Sequence, residues 1–119
     1  MKIQVRSREI QVRRSVRSHV ERRLEFSLGR HSSRIREVIV HIEDLNGPRG
    51  GKDKCCRVEV KLRPTGSVFA EETSADLHAA IDGAADRSGQ AVSRALERAR
   101  CIDREALARR LRAAGSPGA

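Results

Sequence analysis

The stretch from Asp76 to Arg100 constrains the fold most strongly, because its apolar and small residues recur at steps of three and four. That spacing is typical of an amphipathic helix with one side facing a core. The residues of this stripe are Leu77, Ile81, Ala84, Ser88, Ala91, Val92, Ala95 and Ala99. The sequence therefore predicts a long helix with one buried side, capped by Ser74 or Asp76.

The arginines of this helix fall in one row beside the stripe. At roughly 100° per residue, Arg87, Arg94 and Arg98 share a narrow band. The acidic residues on a different side are Asp82, Asp86 and Glu97. Two interpretations are open: a surface for a polyanion, or the solvated face of an arginine-rich chain. Gly83 lies on the same side as the arginine row. It could allow a partner's backbone to approach closely, or it could simply be a glycine that the helix tolerates.

The charge distribution favours a polyanionic partner. The chain carries 25 Lys and Arg against 16 Asp and Glu, a formal net charge of +9. Residues 1–36 hold 11 basic and 3 acidic groups, residues 37–86 hold 6 and 10, and residues 87–119 hold 8 and 3. Two basic segments thus flank an acidic middle, which points to nucleic acid or an anionic membrane surface.

Length and cysteine content exclude several classes of protein. A chain of 119 residues suffices for one domain with one core. Cys55 and Cys56 are neighbours that point to opposite faces of a strand, and the three cysteines form neither a disulfide framework nor a zinc-site spacing. Neither a signal peptide nor an apolar run of about 20 residues is present. We expect a soluble cytoplasmic protein without membrane segment, metal or cofactor.

The N-terminal third has the pattern of a strand followed by a helix. Residues 2–6 alternate between polar and apolar, and Ile10 and Val12 continue the extended pattern. Ser15 is the predicted N-cap of the helix. Its buried stripe is Val16, Val20, Leu24 and Leu28, and its basic side carries Arg14, Arg17, Arg22 and Arg23. Phe26 projects opposite the stripe; we expect it to pack near the helix end, the alternative being presentation to a partner.

The middle of the chain has the pattern of three strands. Val38, Val40 and Ile42 alternate with polar or exposed positions over residues 35–45. Asn46 to Lys54 is a predicted mobile loop. In the next strand, Cys56, Val58, Val60 and Leu62 face one way. A turn at 64–67 then leads to a short strand at 68–72.

The order strand, helix, three strands, helix predicts an α+β fold. A crossover followed by a meander gives a four-stranded mixed sheet with both helices on one face, a βαβββα layout. Residues 1–102 would form this domain. Residues 103–119 would form a basic extension, with a short helix capped by Asp103 and a disordered tail from Gly115.

Catalytic chemistry has little support in the sequence. The histidines are isolated from any nucleophile or metal pattern; they are His19, His31, His41 and His78. A thiol beside Arg57 is more consistent with a small core residue than with a nucleophile. With two Phe and no Trp or Tyr, base reading on aromatic platforms is disfavoured, and backbone recognition of folded RNA by arginine fits better. We expect a protein that is not an enzyme.

The order of elements, the strand CCRVEVKL and the motif DLHAAIDGAADR together resemble the ribosome hibernation-promoting factors, or ribosome-associated inhibitors. Their second helix opens D-[ML]-Y-A-A-I-D and continues with a D-K/R pair and spaced basic residues. The matching positions here are Asp76, Leu77, Ala79 to Asp82, Asp86, Arg87, Arg94, Arg98 and Arg100. The departures are His78 for the Tyr, Gln90 at a basic position, and the weaker helix sequence Ser88-Gly89.

The resemblance implies the same βαβββα fold, related in layout to double-stranded RNA-binding domains. It implies binding to small-subunit rRNA in the mRNA and tRNA channel, which blocks initiation on idle ribosomes, and a short form lacking the dimerisation domain of long members. The predicted rRNA contacts are Arg14, Arg17, Arg22, Arg23, Arg87, Arg94, Arg98 and Arg100. The alternatives are a divergent paralogue acting as a protein–protein regulatory module, or a general binder of structured RNA.

Overall fold

The computed structural model describes residues 1–8, 12–44 and 54–115. The elements are β1 (Lys2–Arg8), α1 (Arg14–Leu28), a 3-10 turn (Gly29–Arg34), β2 (Ile35–Asp44), β3 (Lys54–Leu62), β4 (Ser67–Ser74) and α2 (Leu77–Gly115). This is the predicted order. The expected extension at Ile10, the loop after β2 and the tail beyond residue 115 lie outside the described residues.

The strands form one mixed sheet in the order β1-β2-β3-β4. β1 is parallel to β2, as a crossover through α1 requires, and the other two pairs are antiparallel. Val5, Val40, Val58 and Ala70 lie side by side across all four strands. The predicted α+β fold, with two helices on one face of a four-stranded mixed sheet, is confirmed.

The core lies between the two helices and the apolar face of the sheet. All four predicted residues of the α1 stripe are buried. They join the helix-facing residues of β2 and β3, including Val38, Val58 and Val60, in one cluster. Only half of the positions in such strands are apolar, because only one sheet face is covered.

The buried arc of α2 is wider than its sequence pattern predicts. Ala80, Ala85 and Leu96 are buried although the predicted stripe omits them, while Leu77 and Ala91 are only half-buried. The reason is that α2 contacts β3, β4 and α1. A helix that packs against both the sheet and a second helix buries a wider part of its surface than one that packs against the sheet alone.

The helix starts follow the prediction in one case and differ in the other. In α2, His78 N donates to Asp76 Oδ1 at 3.2 Å, so Asp76 is the cap. The prediction of Ser15 as the cap of α1 is wrong, because Arg17 N donates to Arg13 O at 3.0 Å. Arg13 therefore holds the N-cap position without a side-chain capping bond, and Ser15 lies within the first turn.

The sequence predicts two helices in the C-terminal part of the chain, one from Asp76 to Arg100 and a short one capped by Asp103, but the structure has a single helix there. α2 runs unbroken for 39 residues, so the predicted new start at Asp103 is wrong. The sequence from Arg100 to Ala114 contains no Gly or Pro and consists mainly of good helix formers. Residues 101–113 are all exposed, so this half of α2 makes no core. Within the described ranges, no helix is long and apolar enough to cross a membrane.

Candidate nucleic-acid interface

α1 and α2 lie side by side and run in the same direction. Their contacts advance together along both helices: His19 Nε2 lies 2.7 Å from Asp82 Oδ1, and Arg23 donates to Asp86 Oδ1 at 3.0 Å. Further along, His31 Nε2 lies 3.1 Å from Ser93 Oγ. Asp82 and Asp86, two of the acidic residues on α2, are thus used between the helices.

Small residues let the helices approach closely near the end of α1. A β-carbon on Gly89 would stand 2.9 Å from the backbone oxygen of Ser27. The neighbouring Ser88 is fully buried, and its hydroxyl donates to Ala85 O at 2.7 Å. The Ser88-Gly89 pair that weakens the helix pattern therefore has a packing role.

The predicted contact residues on α1 have different surroundings. Arg14 and Arg22 are exposed and have no ion-pair partner within the described residues. Arg17 lies 3.4 Å from Glu21 in an exposed pair. Arg23 is half-buried between Asp82 at 3.2 Å and Asp86 at 3.0 Å. Arg23 thus joins the two helices, and its charge is compensated there.

The predicted contact residues on α2 are of two kinds, one with a carboxylate partner and three without in the described part of the chain. Arg87 lies 2.9 Å from Glu72 and donates to Glu71 O at 3.3 Å, so it is tied to β4. Arg94, Arg98 and Arg100 are exposed and have no carboxylate partner in the part of the chain that the structure describes. These unpaired arginines therefore begin near the middle of α2, at Arg94.

Arg30, which follows α1 directly, completes a group that we call the basic cluster. Its members are Arg30, Arg94, Arg98 and Arg100. The pKa of His31 is lowered, first by burial and then by the charges of Arg30 and Arg100. The pKa of His31 thus depends on an arginine of the 3-10 turn and on one of α2. The sequence pattern does not reveal Arg30 as a site residue, because residues 29–33 have only the character of a turn.

Phe26 is not packed: its side chain is 80% exposed, so the expected packing is wrong. The residue lies opposite the buried stripe, and no register change at the end of α1 turns it inward. The guanidinium of Arg23 lies 5.6 Å from the centre of its ring. A groove of about 710 Å³ opens beside the ring. It is lined by Phe26, Ser27, Arg30, Asp86, Gly89, Gln90, Ser93 and Arg94.

Gly83 is approached by the chain's own side chain. A β-carbon there would stand 2.6 Å from Cγ of Glu72, the residue that pairs with Arg87. The close approach that the sequence suggested for a partner's backbone is made by β4 of the same chain.

The open face of the sheet carries several paired charges. Gln4 donates to Glu37 at 2.6 Å, Arg57 lies 3.0 Å from Glu71, and Lys61 lies 3.8 Å from Glu37. This face therefore offers less uncompensated positive charge than the basic cluster.

The thiols on β3 are poor nucleophiles. Burial raises the pKa of Cys56 to about 12, and burial followed by the charge of Glu71 raises the pKa of Cys55. A nucleophilic cysteine needs the thiolate, which both shifts disfavour. Among the described residues, no group of three or more His, Cys, Asp and Glu side chains could hold a metal ion.

The chain is similar in sequence to a known protein family and to a characterised relative. The profile of the family described as sigma 54 modulation protein / S30EA ribosomal protein matches residues 3–100. The chloroplastic ribosome-binding factor PSRP1 of Spinacia oleracea is 33% identical over 84 residues, covering 69% of this chain and 28% of the relative. The chain thus spans less than a third of that relative's length.

Two solved structures share the fold. The N-terminal domain of Protein Y from Thermus thermophilus superposes with a TM-score of 0.64 at 30% identity, covering 79% of this chain and 98% of that one. A ribosomal subunit interface protein from Coxiella burnetii gives a TM-score of 0.61 at 18% identity, covering 81% and 99%, and supports the fold alone.

Proposed function

The chain belongs to the sigma 54 modulation protein / S30EA ribosomal protein family, and from that membership we propose that it is a ribosome-associated factor. We further propose that it binds rRNA of the small subunit in the channel for mRNA and tRNA. Occupation of that channel would block initiation on idle ribosomes. We propose the cytoplasm as its compartment.

The basic cluster is the observation that carries this proposal. Its four arginines come from the 3-10 turn after α1 and from α2, and none has a carboxylate partner among the described residues. Some other arginines are compensated, as in the pairs of Arg23 with Asp86 and Arg57 with Glu71, whereas Arg14 and Arg22 on α1 are not. Uncompensated guanidinium groups favour a partner that carries phosphates.

The eight arginines predicted to contact rRNA remain the proposed set, with a division of roles. Arg94, Arg98 and Arg100, together with Arg30, would make the principal contacts. Arg14 and Arg22 would extend the surface along α1. Binding by Arg17, Arg23 and Arg87 competes with their carboxylate partners at 3.4 Å or less, so we expect smaller contributions from them.

Co-sedimentation with purified small subunits across a salt series tests the function. We expect pelleting that weakens steeply with salt, because phosphate contacts release counterions. Bound protein should exclude initiator tRNA, and a plain RNA duplex should not compete. If the duplex prevented the protein from pelleting with the subunits, the protein would instead be a general binder of structured RNA. Failure to pellet at low salt would contradict the proposal and favour a regulatory module acting through the sheet face.

A further inference from the structure

Both large aromatic side chains of the protein face solvent. The chain has two Phe and neither Trp nor Tyr. Phe26 is 80% and Phe69 63% exposed. A single exposed apolar residue is common and needs no explanation, so any role must come from what surrounds each ring.

The ring of Phe26 is held in place by a chain of charged contacts. Asp82 and Asp86 on α2 fix the guanidinium of Arg23, which lies 5.6 Å from the ring centre. This separation is typical of a cation–π contact. An aromatic ring restrained in this way loses less conformational entropy when it binds a ligand.

The groove beside the ring carries the groups that a nucleotide requires. Arg30 and Arg94 line it and have no carboxylate partner within the described ranges. Gln90 contributes an amide that can both donate and accept hydrogen bonds. The carboxylate that also lines the groove, Asp86, is engaged with Arg23 at 3.0 Å. A volume of about 710 Å³ falls in the range of small-molecule sites.

We propose that this groove binds one unpaired RNA nucleotide, with its base stacked on Phe26 and its phosphate on Arg94 and Arg30. This inference rests on the proposed rRNA-binding function and specifies one contact within it. Unpaired bases in RNA stack on aromatic side chains, whereas paired bases do not expose their faces. The scarcity of aromatic residues disfavours an extended platform, but a single base needs one ring.

The surroundings of Phe69 make it a weaker site and a suitable control. Two of the three cations beside it are already compensated, since Arg57 pairs with Glu71 at 3.0 Å and Arg87 pairs with Glu72 at 2.9 Å; the third is Arg94, which the two sites share. A phosphate on Arg57 or Arg87 would have to displace a carboxylate. Both rings are exposed, but Phe26 lies beside two arginines without a carboxylate partner among the described residues, Arg30 and Arg94, whereas Phe69 lies beside one.

Tryptophan fluorescence tests the groove directly, because the natural chain has no Trp. In the Phe26→Trp variant, a single-stranded RNA oligonucleotide should quench the emission. An abasic oligonucleotide of equal length and charge should bind about tenfold more weakly and quench little. The Phe69→Trp variant should respond to the two oligonucleotides alike. Equal quenching of the Phe26→Trp variant by both oligonucleotides would overturn the proposal.

Sedimentation with small subunits separates this proposal from the proposed function. Phe26→Leu should lower the affinity about tenfold, whereas Phe26→Trp should retain it, because only Trp preserves stacking. If the wild-type chain and Phe26→Leu pellet equally, the nucleotide groove is wrong and rRNA binding stands. If the wild-type chain does not pellet, rRNA binding fails, and the oligonucleotide comparison still decides for or against the groove.

Discussion

The backbone oxygen of Ser27 lies 2.9 Å from the point where a β-carbon on Gly89 would stand. Because the obstructing atom belongs to the backbone of α1, it can move only with the whole helix. The absence of a side chain at Gly89 therefore sets the distance between the two helices, and with it the spacing of Arg30 and Arg94 across the groove.

Replacing Gly89 with Ala should lower the free energy of unfolding by up to about 2 kcal/mol. Overpacking costs about 1–3 kcal/mol, and the higher helix propensity of Ala offsets roughly 1 kcal/mol of it. Urea denaturation monitored by circular dichroism measures the change.

Gly83→Ala is the matched control. Its β-carbon would meet only the side chain of Glu72, at 2.6 Å, and that side chain can rotate away at the loss of a partly exposed ion pair with Arg87. We expect a change smaller than about 0.5 kcal/mol, since the ion pair and the helix propensity act in opposite directions. Equal destabilisation by both substitutions would show that the crossing at Gly89 is not special.

The double substitution Arg94→Gln/Arg98→Gln should weaken binding to small subunits and reduce the slope of log affinity against log salt by about 2. Both side chains are exposed and unpaired in the described part of the chain, so stability should not change. Co-sedimentation at several salt concentrations gives the slope.

A control with the same loss of charge lies on the other side of the sheet. Lys2 and Arg6 alternate with the core-facing Ile3 and Val5 and are exposed. The Lys2→Gln/Arg6→Gln variant should keep the wild-type slope. If both variants lowered the slope alike, net charge and not the basic cluster would govern binding.

The sequence predicts those parts of the fold that local periodicity determines. Val58 and Val60 in β3, and Val16 and Val20 in α1, repeat at the spacing of their elements, so their burial follows from pattern alone. The pairing of Arg23 with Asp86 cannot be predicted in this way. The two residues are 63 positions apart, and they meet only because of how the two helices are placed relative to each other. The sequence shows that α2 has a row of arginines on one side and acidic residues on another. It does not show which of these two sides contacts α1.

The same limit explains the errors on the surface. The sequence predicts a packed Phe26 because exposing a large apolar ring is unfavourable, and only the positions of Arg23 and Gln90 reveal a groove beside it. Asp103 suggests a new helix start because aspartate is a good cap. No residue before it breaks the preceding helix, so the helix continues.

The three thiols should differ in reactivity towards a thiol reagent at neutral pH. Cys101 is exposed, whereas Cys55 and Cys56 are buried and burial raises the pKa of both. We expect one thiol to react rapidly in the native protein and all three in denaturant, measured with a chromogenic disulfide. The Cys101→Ser variant should abolish the rapid phase. A rapid phase that survives this substitution would indicate a reactive thiol on β3.

The protonation of His31 should report binding at the basic cluster. Burial, Arg30 and Arg100 lower its pKa below the usual 6.5, so the unfolded chain binds more protons between the two values. Stability from this residue is therefore present above pH 6.5 and is lost as the pH falls through the folded-state pKa. Phosphates that neutralise Arg30 and Arg100 should raise this pKa, as should Arg100→Gln in the free protein. NMR titration of the ring, assigned by the signal lost in His31→Gln, measures both effects, and an unchanged pKa in the RNA complex would place the phosphates elsewhere.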